Sequence, residues 1–317
     1  MKILSLFDGM ACGMIAMLGA GVEVESYDAY EVDKYAIKTA QHNFPIIREH
    51  GDVFMADFTQ YDGVDFLVGG SPCTYWSIAQ TKNRETAASG MGWELFSQYV
   101  RALREAKPKY FIYENNKSMS KQIRASIDDA FGFEAVLINS ALVSAQNRQR
   151  LYWVGKRNAD GTYSKVNVEQ PEDRGILLKD VLDSGTVDRD KSLVLAARYA
   201  GFDGSQSYLC RRYFGKSFGQ AAFDGDIVEM KSKWEENAYF ESDEKNIRQL
   251  TVTECKRLQT VPEWYDFSVV SNSQAYKMLG NGWTCEVIAH LIKSCLTDKP
   301  EEYRCSETEA GMQYTLF

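Results

Sequence analysis

Over residues 1 to about 155 of this 317-residue chain, short apolar runs alternate with longer segments of helical period. Few architectures accept that pattern, and it implies a mostly parallel sheet covered by helices on both faces. Strands are expected at Ile3–Phe7, Val24–Tyr30, Glu49–Val53, Val64–Gly69, Tyr110–Glu114, Ala135–Ala141 and Leu151–Gly155. Helices are expected at Met14–Leu18, Lys34–His42, Trp93–Ala106 and Lys121–Ala130. The link between the last two apolar runs is short, polar and basic, which favours a hairpin over a crossover. The fold class is therefore α/β, with a mostly parallel seven-stranded sheet whose last strand is antiparallel and lies at the edge.

Chemistry-bearing residues collect where the strands of this first block end. The first strand runs into Phe7-Asp8-Gly9-Met10-Ala11-Cys12-Gly13, a turn of small residues that opens a helix. Glycines there let a ligand approach backbone N–H groups at a helix N-terminus. Glu31, with Val32 beside it, closes the second strand at the interval where an acid caps a nucleoside ribose. Asp52 and Val53 close the third, and Asp52 has the acceptor an adenine amino group needs. The turn is not Gly-x-Gly-x-x-Gly, so a tight turn without a ligand and a dinucleotide site both stay open at this point.

The fourth strand leads into Gly70-Ser71-Pro72-Cys73-Thr74, which sets a cysteine in a small-residue loop. A lone cysteine is more often a buried free thiol; a nucleophile needs an electropositive pocket that favours thiolate. The fifth strand ends in Glu114-Asn115-Asn116, where a partly desolvated carboxyl can hold and donate a proton. Gln146-Asn147-Arg148-Gln149-Arg150 precedes the seventh run, and alternation points Arg148 and Arg150 the same way. Solvated surface arginines are the plain alternative for that pair.

Taken in order with Arg248-Gln249-Leu250-Thr251, Glu254-Cys255-x-Arg257-Leu258-Gln259 and Leu279-Gly280-Asn281-Gly282-Trp283, these motifs resemble the cytosine-5 DNA methyltransferases over nearly the whole chain. The phrases Ser5-Leu6-Phe7-Asp8-Gly9 and Leu279-Gly280-x-x-Trp283 look most like the animal de novo branch. The resemblance implies a class I S-adenosylmethionine-dependent methyltransferase fold with a small target-recognition domain. In that reading Phe7, Asp8, Gly9, Ala11, Cys12 and Gly13 hold the methionine part of S-adenosylmethionine, Glu31 and Val32 the ribose side, and Asp52 and Val53 the adenine, with Pro72, Asn281 and Trp283 closing the pocket. Cys73 attacks C6 of a flipped cytosine and Glu114 protonates N3. Arg150 holds O2, and Arg148 orients the loop or contacts phosphate. Two positions depart from the family's pattern: Thr74 stands where Gln is common, and Asn116 where Val is usual. Altered loop packing, or a different way of filling the space left by the flipped base, is the expected consequence, without loss of activity.

The resemblance also divides the chain: a catalytic and cofactor-binding part at 1–155, a target-recognition domain at 156–247, a return to the first domain at 248–297 and an acidic tail at 298–317. Within the recognition segment Arg198, Arg211, Arg212, Tyr213 and Lys216 are the candidates for DNA contact; arginine suits guanine edges and lysine suits phosphate. Val287–Leu296 has helical spacing and is expected to pack beside the first strand.

Charge is the one observation that stands against DNA. Lys plus Arg number 36 against 44 Asp plus Glu, a formal net charge of −8, whereas phosphate binding usually leaves a basic footprint. The objection becomes local once positions are compared. From Asn139 to Arg157 there are four basic residues and no acid, while acids crowd into Asp224–Glu244. A dipolar molecule with a basic cleft is expected, its non-specific DNA affinity falling quickly with salt. Seven dispersed cysteines without a Cys-x-x-Cys pair, and three histidines without ligand spacing, point to free thiols and no metal. The partner expected is double-stranded DNA, with no membrane, a monomeric chain in bacterial or phage-infected cytoplasm, and a cognate restriction endonuclease as a candidate companion. The competing readings are a cytosine-5 tRNA methyltransferase, whose Cys-Phe-Thr signature is absent here, and a non-catalytic DNA-binding relative, which would lack Cys73 or Glu114.

Overall fold

The computed structural model describes residues 1–78, 84–197, 213–214, 220–236 and 247–298. Its main sheet is built from β1 (Lys2–Leu6), β2 (Ser26–Tyr30), β3 (Ile47–Glu49), β4 (Phe66–Gly69), β5 (Tyr110–Asn116), β6 (Val136–Asn139), β7 (Gln149–Arg157) and β8 (Tyr163–Lys165), in the order β3-β2-β1-β4-β5-β7-β6 with β8 paired to β7. Helices α1 (Cys12–Gly19), α2 (Lys34–Asn43), α3 (Met91–Ala106) and α4 (Lys121–Phe131) connect the strands. β1 to β5 are mutually parallel, and β7 runs antiparallel to both β5 and β6.

The expected α/β class is therefore observed, with three adjustments. The antiparallel strand is interior: β7 inserts between β5 and β6, and β6 forms the edge, because the β6–β7 hairpin folds back toward the sheet centre. An eighth strand follows, so the sheet of the first domain continues past residue 155 to Lys165. The third strand ends earlier than expected. Gly51 has φ +78°, which breaks the extended chain, and Asp52 lies beyond the strand, its carboxylate accepting from Phe54 N at 3.0 Å to cap the short turn Val53–Met55.

Period-two alternation divides the core into two layers. Tyr27, Phe66, Val68, Ile112, Tyr152 and Val154 are buried in one, and Leu67, Phe111, Tyr113, Leu151 and Trp153 in the other together with Phe96, Tyr99, Ile127 and Phe131. Phe131 at the end of α4 packs against Phe111 at a centroid distance of 4.9 Å and meets Trp153 at 6.1 Å. Local signals set the helix ends. Asp33 caps α2 by accepting from Tyr35 N, and Ser120 caps α4 by accepting from Ile123 N.

The chain returns through α6 (Val252–Leu258), α7 (Asn272–Asn281) and α8 (Cys285–Thr297). Thr251 and Glu254 form a capping box at the start of α6, and the Glu254 carboxylate also takes both Arg248 nitrogens at 2.8 Å. α8 packs on α1 rather than beside β1. Gly19 on α1 faces Ala289 on α8, and α1 already covers that face of the sheet. Between the sheet and this return lie the antiparallel pair β9 (Ala221–Phe223) and β10 (Ile247–Gln249) and helix α5 (Ile227–Glu235). No helix among the described residues is long and apolar enough to cross a membrane, and no group of three or more His, Cys, Asp or Glu among them is placed to hold a metal ion. Phe111 is fully buried on a central strand, so Phe111→Ala is expected to cost about 3–5 kcal/mol, read as a shift of the urea midpoint.

Candidate active site

The C-terminal ends of β1, β2, β4 and β5 open onto one cavity of about 230 Å3. Of the residues singled out in the sequence, Phe7, Asp8, Gly9, Cys12, Glu31, Pro72, Cys73, Glu114, Asn281 and Trp283 line it. Ala11 and Gly13 are buried behind the wall, and Val32, Asp52, Val53, Arg148 and Arg150 do not line it.

The turn after β1 takes its shape from backbone strain and a buried acid. Phe7, Gly9 and Ala11 have φ of 58°, 61° and 62°. Ala11 is the first residue of the cap of α1, and no side chain caps that helix, so its N-terminal N–H groups are left for the cavity. Glu31 secures the turn: Oε2 accepts from Gly9 N at 2.8 Å, and Oε1 accepts from Val32 N at 2.7 Å and Asp33 N at 2.8 Å. Asp8 is buried, with Oδ1 accepting from Ser5 Oγ at 2.5 Å and Tyr27 Oη at 2.6 Å, while Oδ2 has no partner among the described residues. Gly13 admits the tyrosine, because a Cβ there would lie 2.6 Å from the Tyr27 hydroxyl.

Burial pushes the Asp8 carboxyl up to about 6, against the pull of the Ser5 and Tyr27 hydroxyls. Glu49, at the end of β3, is pushed up to about 8 by burial and then by the nearby Asp8 and Glu31 charges, and both its carboxylate oxygens lack a partner among the described residues. An orphaned carboxylate oxygen facing a cavity costs stability unless a cationic or donor group meets it. This wall therefore fits a ligand that carries positive charge.

The opposite wall carries a cysteine with two arginines behind it. The short turn Cys73–Tyr75 holds Cys73, half-buried. Burial and then the Glu114 charge push its thiol above the usual cysteine value, while Arg150 and Arg148 oppose them. The pocket is thus less thiolate-favouring than a nucleophile alone would require, and the resting group is the thiol. Glu114 is 9% exposed and accepts on both oxygens: Arg150 Nε stands 3.0 Å from Oε1, and Trp283 Nε1 donates to Oε2 at 3.0 Å. Gly70 makes room for it, since a Cβ there would meet Glu114 Oε2 at 2.9 Å.

Arg148 does not reach outward to phosphate. It is 3% exposed and donates to Leu195 O at 3.3 Å, Gly280 O at 3.2 Å and Gly282 O at 2.8 Å. Burial, and then Arg150, pull its guanidinium down to about 10. Tyr213 likewise faces inward: its ring is 6% exposed and its hydroxyl donates to Asp188 Oδ1 at 2.5 Å. The other DNA-contact candidates, Arg198, Arg211, Arg212 and Lys216, and the tail from residue 299 lie outside the described residues.

Sequence reasoning missed Asp33, Lys277 and Glu49. Lys277 Nζ donates to Asp33 Oδ2 at 2.7 Å, and both line the cavity, joining α7 to the start of α2. No local signal announces such a pair, because its partners are far apart in the chain.

The chain matches the C-5 cytosine-specific DNA methylase family over residues 1–297. It is 30% identical to the type II methyltransferase M1.ScrFI of Lactococcus lactis subsp. cremoris, covering 93% of this chain and 78% of that one. To M.FnuDI of Fusobacterium nucleatum it is 27% identical over 94% and 96% of the two chains. The match to the orphan methyltransferase M.Rho11sI of Bacillus phage rho11s is 35% identical but spans half of this chain and 33% of the relative's length. Among solved structures, a DNMT2 variant of Spodoptera frugiperda superposes with a TM-score of 0.70 at 18% identity, covering 93% of this chain and 99% of that one. S. pombe Dnmt2 superposes with a TM-score of 0.66 at 16% identity, covering 93% and 97%. At such identities the superpositions establish the shared fold.

A raised carboxyl makes a signed prediction. Asp8 binds its proton more tightly folded than unfolded, so its contribution to stability is fully present below about pH 4 and is lost as pH rises through about 6, a change of about 3 kcal/mol. Asp8→Asn removes that loss: the variant is expected to gain stability relative to the parent between pH 4.5 and 7.5, measured by urea denaturation across that range.

Proposed function

The chain belongs to the C-5 cytosine-specific DNA methylase family, and from that premise we propose that it transfers a methyl group from S-adenosylmethionine to C5 of cytosine in duplex DNA. The observation that carries the reading is the convergence of Cys73, Glu114 and the strained Phe7–Gly13 turn on one cavity, with Arg150 paired to the Glu114 carboxylate.

The residues present fit the cofactor. The orphaned Asp8 Oδ2 and the uncapped N-terminus of α1 suit the charged methionine end, while Glu31 stands where ribose hydroxyls would reach it. Trp283 and Asn281 close the same wall from the returning segment.

Cytosine C5 is a poor nucleophile, and C6 is inaccessible within a stacked duplex, so the target base must leave the helix before Cys73 can reach it. Cys73 passes its proton to the neighbouring Glu114 carboxylate and forms a bond from Sγ to C6, pushing an electron pair into the ring. Glu114 donates a proton to N3, so the ring does not accumulate full negative charge, and Arg150 supports O2 from the side where it holds Glu114. S-adenosylmethionine, when bound, supplies an electrophilic methyl group to the C5 carbon that this addition has made nucleophilic. A base then takes the C5 proton, the ring electrons expel Sγ from C6, and N3 gives its proton back. Arg148 contributes by holding the segment that bears Trp283.

Incubation with labelled S-adenosylmethionine is expected to label duplex DNA, and DNA carrying 5-fluorocytosine is expected to trap a covalent adduct that Cys73→Ala abolishes. Labelling of tRNA alone, or of no nucleic acid across broad sequence coverage, would overturn the reading. Arg150→Ala should slow transfer by about 100-fold or more. Because the Cys73 thiol lies above its ordinary value, adduct formation should quicken with alkalinity, up to about tenfold per pH unit, in a stopped-time series at pH 7 to 9.

A further inference from the structure

Asn116 occupies a defined place in the structure. It is the last residue of β5, two positions after Glu114, and it is 4% exposed. Its Oδ1 accepts from Ser118 Oγ at 2.6 Å, and its own N and Nδ2 donate to Asn115 Oδ1 at 2.8 and 3.0 Å, which fixes the side-chain orientation. The Ser118 hydroxyl, with its proton committed to Asn116, accepts from Ile78 N at 3.3 Å. Arg84 closes the arrangement from the other side: Nη2 donates to Ser118 O at 2.5 Å and Nε to Trp76 O at 3.0 Å.

These bonds tie down the chain on both sides of a fully buried indole. Trp76 N donates to Cys73 O at 3.1 Å and Ser77 N to the same carbonyl at 2.9 Å, so the position of Trp76 sets that of the cysteine backbone. The indole Nε1 donates to Glu85 Oε2, which also receives Gly92 N, each at 3.1 Å. Farther along, Ser120 Oγ donates to Thr86 O at 2.5 Å. The turn that follows β5 thus holds the segment after Cys73 at several points, and the strand it extends is the one that presents Glu114.

We propose that Asn116, Ser118 and Arg84 form a polar latch that sets the Cys73 loop in register with Glu114, which makes them positioning residues for adduct formation. The inference rests on the roles assigned to Cys73 and Glu114 above. Valine at 116 offers no acceptor, so the Ser118 proton would lose its partner and the hydroxyl its fixed orientation toward Ile78 N. Asparagine at this position therefore orients the hydroxyl that meets Ile78 N.

Two readouts on the full chain separate this latch from the chemistry it serves. The first is the single-turnover rate of adduct formation with 5-fluorocytosine DNA at saturating S-adenosylmethionine. The second is the rate of Cys73 alkylation by iodoacetamide, followed by mass spectrometry without DNA. Asn116→Val and Ser118→Ala are expected to slow adduct formation about tenfold, the loss that one or two hydrogen bonds produce, and to speed alkylation, while S-adenosylmethionine affinity stays unchanged. Ser118→Thr, which keeps the hydroxyl, is expected to restore both rates. Unchanged alkylation in Asn116→Val and Ser118→Ala, or an equal fall in cofactor affinity, would overturn the latch. Absence of any adduct in the parent protein would instead overturn the roles of Cys73 and Glu114, and the alkylation comparison would still decide the latch.

Discussion

A small set of buried side-chain amides and one guanidinium holds this molecule together across its discontinuous sequence. Arg148 donates to carbonyls of residues 195, 280 and 282. Gln146 accepts from Leu195 N at 2.8 Å and donates to Leu258 O at 3.1 Å. Gln259 donates to Leu279 O at 2.5 Å and accepts from Thr284 Oγ1 at 3.0 Å. Several of these partners are shared, Leu258 O also accepting from Ser144 Oγ at 2.6 Å and Gly282 O from Gln259 Nε2 at 3.3 Å, so the hub is one connected network. Gly282 and Trp283 hang from this hub and from α7, whose Met278 O accepts from Gly282 N at 2.7 Å, so the segment before β7 and the preceding helix together fix the cavity wall they form. The motif Gln146-x-Arg148-x-Arg150 is thus divided: Arg150 pairs with Glu114 beside the cavity, and Arg148 and Gln146 bind backbone carbonyls of the returning segment.

The cavity itself is electrically asymmetric. Asp8 and Glu31 line one wall with Glu49 close by, and burial holds Asp8 and Glu49 at raised values. On the other, Arg148 and Arg150 stand behind Cys73 and Glu114. A cation would meet complementary charge at the acidic wall, and an electron-rich ring at the basic one. Net charge of −8 says nothing about either wall, which is why the global balance misleads about substrate.

Much of this was legible from the chain alone, for identifiable reasons. Apolar runs long enough to fill a strand located β1, β2, β4, β5 and β7, and their ends located Cys73, Glu114 and the Phe7–Gly13 turn. What failed to show was whatever depends on neighbours distant in sequence. Gly51 looked like part of a strand ending and instead turns the chain. Tyr213 looked like an exposed aromatic among basic residues, yet Asp188, twenty-five positions earlier, draws its hydroxyl inward. The roles of Glu49, Lys277 and the Asn116–Ser118 pair likewise arise only when separate elements meet. The order of strands also escaped, since the hairpin was recognised but its inward placement required knowledge of which edge remained open.

The contact between α1 and α8 joins the twelfth residue's helix to one that begins at residue 285. Loop-closure entropy makes so distant a pairing slow to form, and it comes after the local strand–helix units it must join. During synthesis the first sheet can therefore fold while its cofactor wall is still missing. The ribosome has to deliver nearly the whole chain before Trp283 meets Glu114, so binding competence arrives as a late, all-at-once event and a truncated product would be folded in part yet inert.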